Sequence, residues 1–445
     1  MCKHLPYPLL LALAISIIPM SAHGAKMAYV TNTLAETLSK VNLEAMVVEN
    51  DIVLLGGAPN QVLLQDSLGY VINSGSNDIQ VIDLAGDSTL GYIPLLPSAN
   101  PYKMVVVDDT LAYVTNWSLN SVSKVNLLSR ELIAEIPLGT APEGILAVGG
   151  LLYVANCGYS YLAGYEQGTV SVIDAEDDIV IATVEVGTNP QDLAFDPQGE
   201  INVVCTGDYV ESFGMIYVID PRSFTVIDSM PLGGSPGTIA ISSKGIGYLG
   251  AGGWVSEGYV YQVNLLTNQV MRDAEDPIIT DPGAMGMAVN DAGNIFCCCF
   301  VSNTLVWLVS PDSTFARFDL SSGPNAVALS EDHLVYAELI PDAQEVEPGE
   351  ELGYTIEIVN QTDETLTIEL VAGVILPNGH PYKGNPVAGP QDITLQPHQE
   401  RTINITHTTP GSAPAGRYVY FVRTTVPSED DILIRSFWFD IVGDL

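Results

Sequence analysis

Positive charge is scarce in this chain of 445 residues, where 15 Lys and Arg stand against 53 Asp and Glu for a formal charge of −38 at pH 7. That balance repels phosphate backbones and anionic headgroups, so nucleic acid is not an expected partner, and a solvated acidic surface is the plain reading of the excess. Histidine is nearly as rare: the chain has six, and His333 is the only one between residues 25 and 338. Metal ligation and general-base work lean on His, so no metal and no cofactor is expected, carboxylate-only chemistry excepted. Beyond Cys2 there are five cysteines, Cys157, Cys205, Cys297, Cys298 and Cys299. An odd number set in strand-like segments is not a disulfide framework, and consecutive strand residues alternate faces, so the triple cannot offer three thiolates to one ion. Small buried hydrophobes are expected instead. CxxCH and Walker patterns do not occur.

Long apolar runs are also missing, apart from Leu9 to Ile18 near the N-terminus. That run follows a basic start (Met1-Cys2-Lys3-His4) and precedes the small-x-small pattern Ala22-His23-Gly24, the form of a secretory leader over residues 1–24. Cys2 lies ahead of the apolar run, so no lipid attachment is expected and no transmembrane segment follows.

What the chain has in abundance is repetition. YVTN at 29 recurs as YVIN at 70, YVTN at 113 and YVAN at 153, then more loosely as VVCT at 203, YLGA at 248 and FCCC at 296, in steps of 40 to 50 residues. A β-branched run ending in a turn residue follows each one: SKVNL at 39, IQVIDL at 79, VSKVNL at 122, VSVIDA at 170, IYVIDP at 216, VYQVNL at 260 and VWLVSP at 306. A proline near the start of an apolar strand makes the third series: Pro59, Pro101, Pro142, Pro190, Pro236, Pro282 and Pro324. The period suits four-stranded units A to D, and all three series count seven. The chain begins at a strand B and supplies its last strand A only at Asn325 to Leu329, which is expected to pair back with the N-terminal strands and close the ring. These letters resemble the YVTN β-propeller repeats of archaeal surface-layer and bacterial periplasmic or secreted proteins, over about residues 27 to 335. The resemblance implies a propeller and a surface or periplasmic binding role without naming a ligand.

The period breaks near Leu339. Alternating Tyr354, Ile356 and Ile358, a turn at Asn360 to Asp363, and strand-like runs at 414 to 426 and 432 to 442 fit about seven strands in the last 100 or so residues. The pattern resembles a bacterial immunoglobulin-like sandwich without its Cys…Trp…Cys signature. His380, His398 and His407 are read as surface residues. The fold expected is all-β: a seven-bladed β-propeller over 25–338 followed by an immunoglobulin-like β-sandwich over 339–445.

In an A-B-C-D meander the B to C loops and the D to A crossings share one rim. That rim carries Trp117, the inserted stretch CGYSYLAGYEQG with Tyr159, Tyr161 and Tyr165, then Tyr209, Phe213 and Trp254, with Asp208, Glu211 and Glu257 beside them. Rigid rings with polar tips suit stacking on sugars or anchoring a peptide. The acidic turn Asp174 to Asp178 lacks the alternating oxygen ligands of a calcium loop. The function read from the chain is an exported, non-catalytic binding or surface-scaffold protein, located in a periplasm, on a cell surface or secreted, whose partner is an envelope or extracellular protein or glycan. The alternative is an extracytoplasmic propeller enzyme, a carboxylate-based glycan lyase or hydrolase or a quinone-dependent dehydrogenase, for which no Asp or Glu pair stands out in the sequence. The oligomeric state is not legible.

Overall fold

The computed structural model describes residues 27–442 except 66, 197, 243, 291–292, 312, 331–333, 344, 377–381, 383 and 427–430. The leader read over residues 1–24, His333 and His380 therefore lie outside the described residues. Among those described, every regular element is a β-strand.

Among the described residues the repeat region forms seven antiparallel sheets, six of four strands and one of five, with a two-stranded hairpin in one connecting loop. The first strands of successive sheets pack on one another in cyclic order, and Pro324–Ser330 adjoins Pro59–Gln65. Closure comes from Pro324–Ser330 pairing with the N-terminal Met27–Asn32, Val30 opposite Val327, as the strand count requires. This covers an edge that would otherwise be left open in the ring. Five of the seven first strands begin on the proline itself, as Pro101–Val106 and Pro142–Val148 do. Proline has no N–H to give to a ladder and belongs at such a start.

The letters of the repeat tie each sheet to its neighbour and close its own turn. Tyr113 is buried and its hydroxyl donates to the Ala175 carbonyl at 3.1 Å and to Asp178 Oδ1 at 3.0 Å, in the turn of the next sheet. Val114 packs in the core. Thr115 Oγ1 donates to the Glu143 carbonyl at 2.7 Å, again in the next sheet. Asn116 Nδ2 spans its own turn to Ser121 Oγ at 3.1 Å and Ser123 Oγ at 2.8 Å, and Asn32 repeats this with Thr37 and Ser39. Lysines of the following strand complete the link: Lys40 meets Asp87 at 2.6 Å and Lys124 meets Asp178 at 2.9 Å. Asp178, part of the acidic turn, is thus committed to a neighbouring lysine. Asn116 and Asn360 are buried. Small residues let adjacent sheets meet at the centre, where a Cβ on Gly286 would lie 2.1 Å from the Asn325 carbonyl oxygen.

The sixth sheet is the irregular one. Its outer strand is split into Gln269–Arg272 and Ile278–Thr280, both paired with Gly258–Asn264.

From Val335, ahead of the boundary read at Leu339, the strands enter two further sheets. Val335–Pro341, Glu351–Asn360 and Glu400–Thr408 make one; Glu345–Val346, Asp431–Ile441, Gly416–Val426, Leu366–Ile375 and Ala388–Leu395 make the other. Their facing sides share one core that includes Tyr354, Ile356, Ile368 and Tyr420. His398 is exposed, 2.8 Å from Asp363. His407 departs from the surface reading: it is half-buried, its Nε2 lies 2.7 Å from the Tyr420 hydroxyl, and burial lowers its pKa. The sequence flanking it is polar because the strand is half-exposed, while the sheet packing turns this one ring toward the buried tyrosines.

Candidate ligand-binding site

The first strands of the seven sheets surround a cavity of about 1010 Å³. Residues near the start of these strands face it, among them Asn60, Tyr102, Lys103, Gln191, Asp192 and Asn325. Lys103 and Asp192 are its only charged lining residues among those described, and they pair at 2.6 Å. Asp192 is further satisfied by the backbone N–H groups of Leu193 at 3.0 Å and Ile239 at 3.1 Å.

Two residues of the expected rim, Tyr209 and Trp254, reach this cavity. The structure gathers five of the expected aromatics into one chain of rings. Trp117 and Tyr159 have centroids 5.8 Å apart, Trp117 and Tyr161 6.3 Å, Tyr159 and Tyr161 5.6 Å, Tyr159 and Tyr165 5.0 Å, and Tyr165 and Tyr209 6.1 Å. Such separations suit tilted and edge-to-face contacts. The inserted stretch makes the cluster possible: Tyr159–Ser160 and Gly164–Tyr165 form a small hairpin that folds over Trp117. Tyr161 remains 86% exposed and Tyr209 55% exposed, so the cluster offers ring surface to solvent.

The remaining expected residues are arranged differently. Trp254 meets Phe300, edge to face at 6.4 Å, and stands apart from the five rings. Phe213 is exposed and makes no ring contact in the cluster. Asp208 caps its own loop: Oδ1 accepts the N–H groups of Val210 at 3.0 Å, Glu211 at 2.8 Å and Ser212 at 2.8 Å. Those bonds favour the anion and bring its pKa down to about 2. The cap also holds Tyr209 at a φ of 65°, a left-handed conformation that few non-glycine residues adopt. Glu211 and Glu257 are exposed.

Sequence reasoning missed Glu143. It is only 6% exposed, beneath the ring cluster, with Trp117 Nε1 donating to its Oε1 at 3.2 Å and the Cys157 thiol facing it. Its Oε2 has no hydrogen-bond partner among the described residues. Desolvation is the main reason its pKa rises to about 7, with nearby Lys103 pulling it down and Asp192 pushing it up. Glu143 in turn raises the Tyr102 pKa well above the usual phenol value. The available signal was the proline series: Glu143 follows Pro142 as Tyr102 follows Pro101 and Gln191 follows Pro190. Cys157 is buried as expected, but it faces a carboxyl rather than only hydrocarbon.

No family model and no curated protein matches the sequence. Solved structures do match its fold. Hydrazine synthase of Kuenenia stuttgartiensis is 17% identical with a TM-score of 0.51, over 60% of this chain and 88% of that one. A "putative 6-phosphogluconolactonase" of Bacteroides uniformis is 12% identical with a TM-score of 0.51, over 68% of this chain and 99% of that one. At such identities the likeness shows an all-β, propeller-like fold and nothing of activity.

Proposed function

We propose that this chain is an exported binding protein, a seven-bladed YVTN-type propeller followed by an immunoglobulin-like sandwich, which recognises an envelope or extracellular ligand on the rim beside the central cavity. The observation that carries the reading is the five-ring chain from Trp117 to Tyr209, which keeps exposed ring surface beside a cavity of ligand size. Seven sheets in a closed ring and two facing sheets with a shared core support the two-part architecture. The sandwich serves as spacer or docking module.

The test is a binding screen of Ala25 to Leu445 against glycans and cell-envelope fractions, with Trp117→Ala, Tyr161→Ala and Trp254→Ala in parallel. Loss of binding in folded rim variants supports recognition at this face. Binding indifferent to all three removes the rim from the reading.

One observation favours the enzyme alternative. Burial raises the Glu143 pKa to about 7, a value suited to general acid and base work, and the lysine-paired Asp192 carboxyl lies near it. Recovering a bound ligand chemically altered by the wild type, and unaltered by Glu143→Gln, would move the assignment to catalysis.

A further inference from the structure

We infer that the ring cluster is a cation-binding platform, taking an alkylammonium group of its ligand on the Trp117, Tyr159 and Tyr161 rings above the buried Glu143 carboxylate. The inference deepens the recognition reading above and rests on it.

Three independent observations carry it. The first is composition by position. The connecting loops that form this rim, at 33–36, 74–77, 117–120, 157–168, 206–214, 251–257 and 300–303, contain no Lys, Arg or His, whereas Glu36, Glu166, Asp208, Glu211 and Glu257 all lie in them. The second is charge accounting underneath. Two carboxyls, Glu143 and Asp192, share one ammonium, and Lys103 sits on Asp192 at 2.6 Å. Glu143 feels Lys103 and Asp192 through their charge, but its other neighbours, Trp117, Cys157, Tyr102, Tyr165 and Tyr209, are neutral, and its Oε2 accepts no hydrogen bond among the described residues. The third is the bond from Trp117 Nε1 to Glu143. An indole N–H donated to a carboxylate gains electron density on its ring, and the face of that ring is the preferred seat of a cation. Glu143 is thus a positioning residue, acting through Trp117 rather than by touching the ligand.

An ammonium group needs only ring faces and negative potential, both of which are present.

Linkage sets the sign. A cation stabilises the ionised form of Glu143, so binding near neutral pH releases a fraction of a proton, and affinity falls by up to about tenfold per pH unit below the Glu143 pKa.

The experiment is calorimetric titration of the full mature chain with matched probes: a glucosamine tetramer against its N-acetylated form, and trilysine against Nε-acetylated trilysine. The amine-bearing probe of at least one pair is expected to bind at least tenfold tighter than its acetylated partner, and the pair that responds identifies the source of the ammonium. Glu143→Gln keeps an acceptor for Trp117 and removes the charge. It is expected to weaken trilysine binding about tenfold at pH 8, where the side-chain amines remain charged, and to abolish the proton release seen on comparing buffers of different ionisation enthalpy. Equal binding of acetylated and amine-bearing probes, lost in Trp117→Ala, would overturn the cation inference while leaving recognition by the rim intact. Failure of every amine-bearing probe would overturn it as well, with the envelope screen deciding the broader reading separately. Amine binding unchanged in Glu143→Gln would remove the role given to Glu143.

Discussion

Trp117 Nε1 lies 3.2 Å from Glu143 Oε1, so the most buried acid beside the central cavity is tied to the indole that anchors the exposed ring cluster. A change in the charge of Glu143 is felt by the indole, and the burial that governs that charge underlies the first prediction.

Glu143 ionises near 4.5 when unfolded and near 7 when folded. Between those values the native state holds the extra proton, so stability falls as pH rises through the window, and the full cost is present above pH 7. Glu143→Gln is expected to unfold with the wild type below pH 4 and to exceed it by up to about 3 kcal/mol at pH 8, since each pKa unit corresponds to about 1.4 kcal/mol. Thermal melts of both proteins across pH 4 to 8 check this; a variant less stable at pH 8 would count against the buried-acid assignment.

Asn116 closes its turn through one buried amide with two hydroxyl partners, Ser121 and Ser123, and Glu135 Oε2 at 3.1 Å. Asn116→Ala leaves those groups to one another and is expected to cost about 1 to 3 kcal/mol. Urea unfolding measures it, and Asn32→Ala, with the same geometry, is expected to fall in the same range.

Lys103 and Asp192 form a pair whose side chains are 20% and 10% exposed. Removing one partner strands the other, so Lys103→Met or Asp192→Asn alone is expected to destabilise by about 3 kcal/mol or more, with the double variant recovering much of the loss. A double-mutant cycle in denaturant reads the coupling; strict additivity would show that the pair contributes nothing jointly.

All five cysteines between Cys157 and Cys299 are buried and unpaired, and the Cys297 and Cys299 sulfurs stand 3.9 Å apart on one face of their strand. Burial pushes the Cys205 thiol up to about 12. The chain from Ala25 to Leu445 is expected when folded to resist a thiol-specific chromogenic reagent at pH 8 and to release five equivalents once unfolded under anaerobic conditions. Rapid reaction of the folded chain would contradict the burial.

The repeat was legible because it is local. Tyr, Val, Thr and Asn at successive positions of one strand serve one core and two turns, so their spacing survives in the letters. The later repeats lose those letters because other residues can fill the same places: Cys297 and Phe296 occupy core positions that valine and tyrosine hold earlier. The candidate rim residues were also found from loop position alone, since strand order dictates which loops share a face.

The sequence by itself determined the strand alternation, the period, the closing pairing of Pro324–Ser330 with Met27–Asn32 and the aromatic content of one rim. Only the tertiary structure decided which aromatics meet, why Trp254 stands apart and that Glu143 lies beneath Trp117. Periodicity records which side of a strand faces inward, but burial, and with it the pKa of an acid such as Glu143, depends on residues brought in from other sheets. Trp117 and Lys103 from the sheet before, Asp192 from the sheet after and Cys157 from Glu143's own sheet converge on that carboxyl.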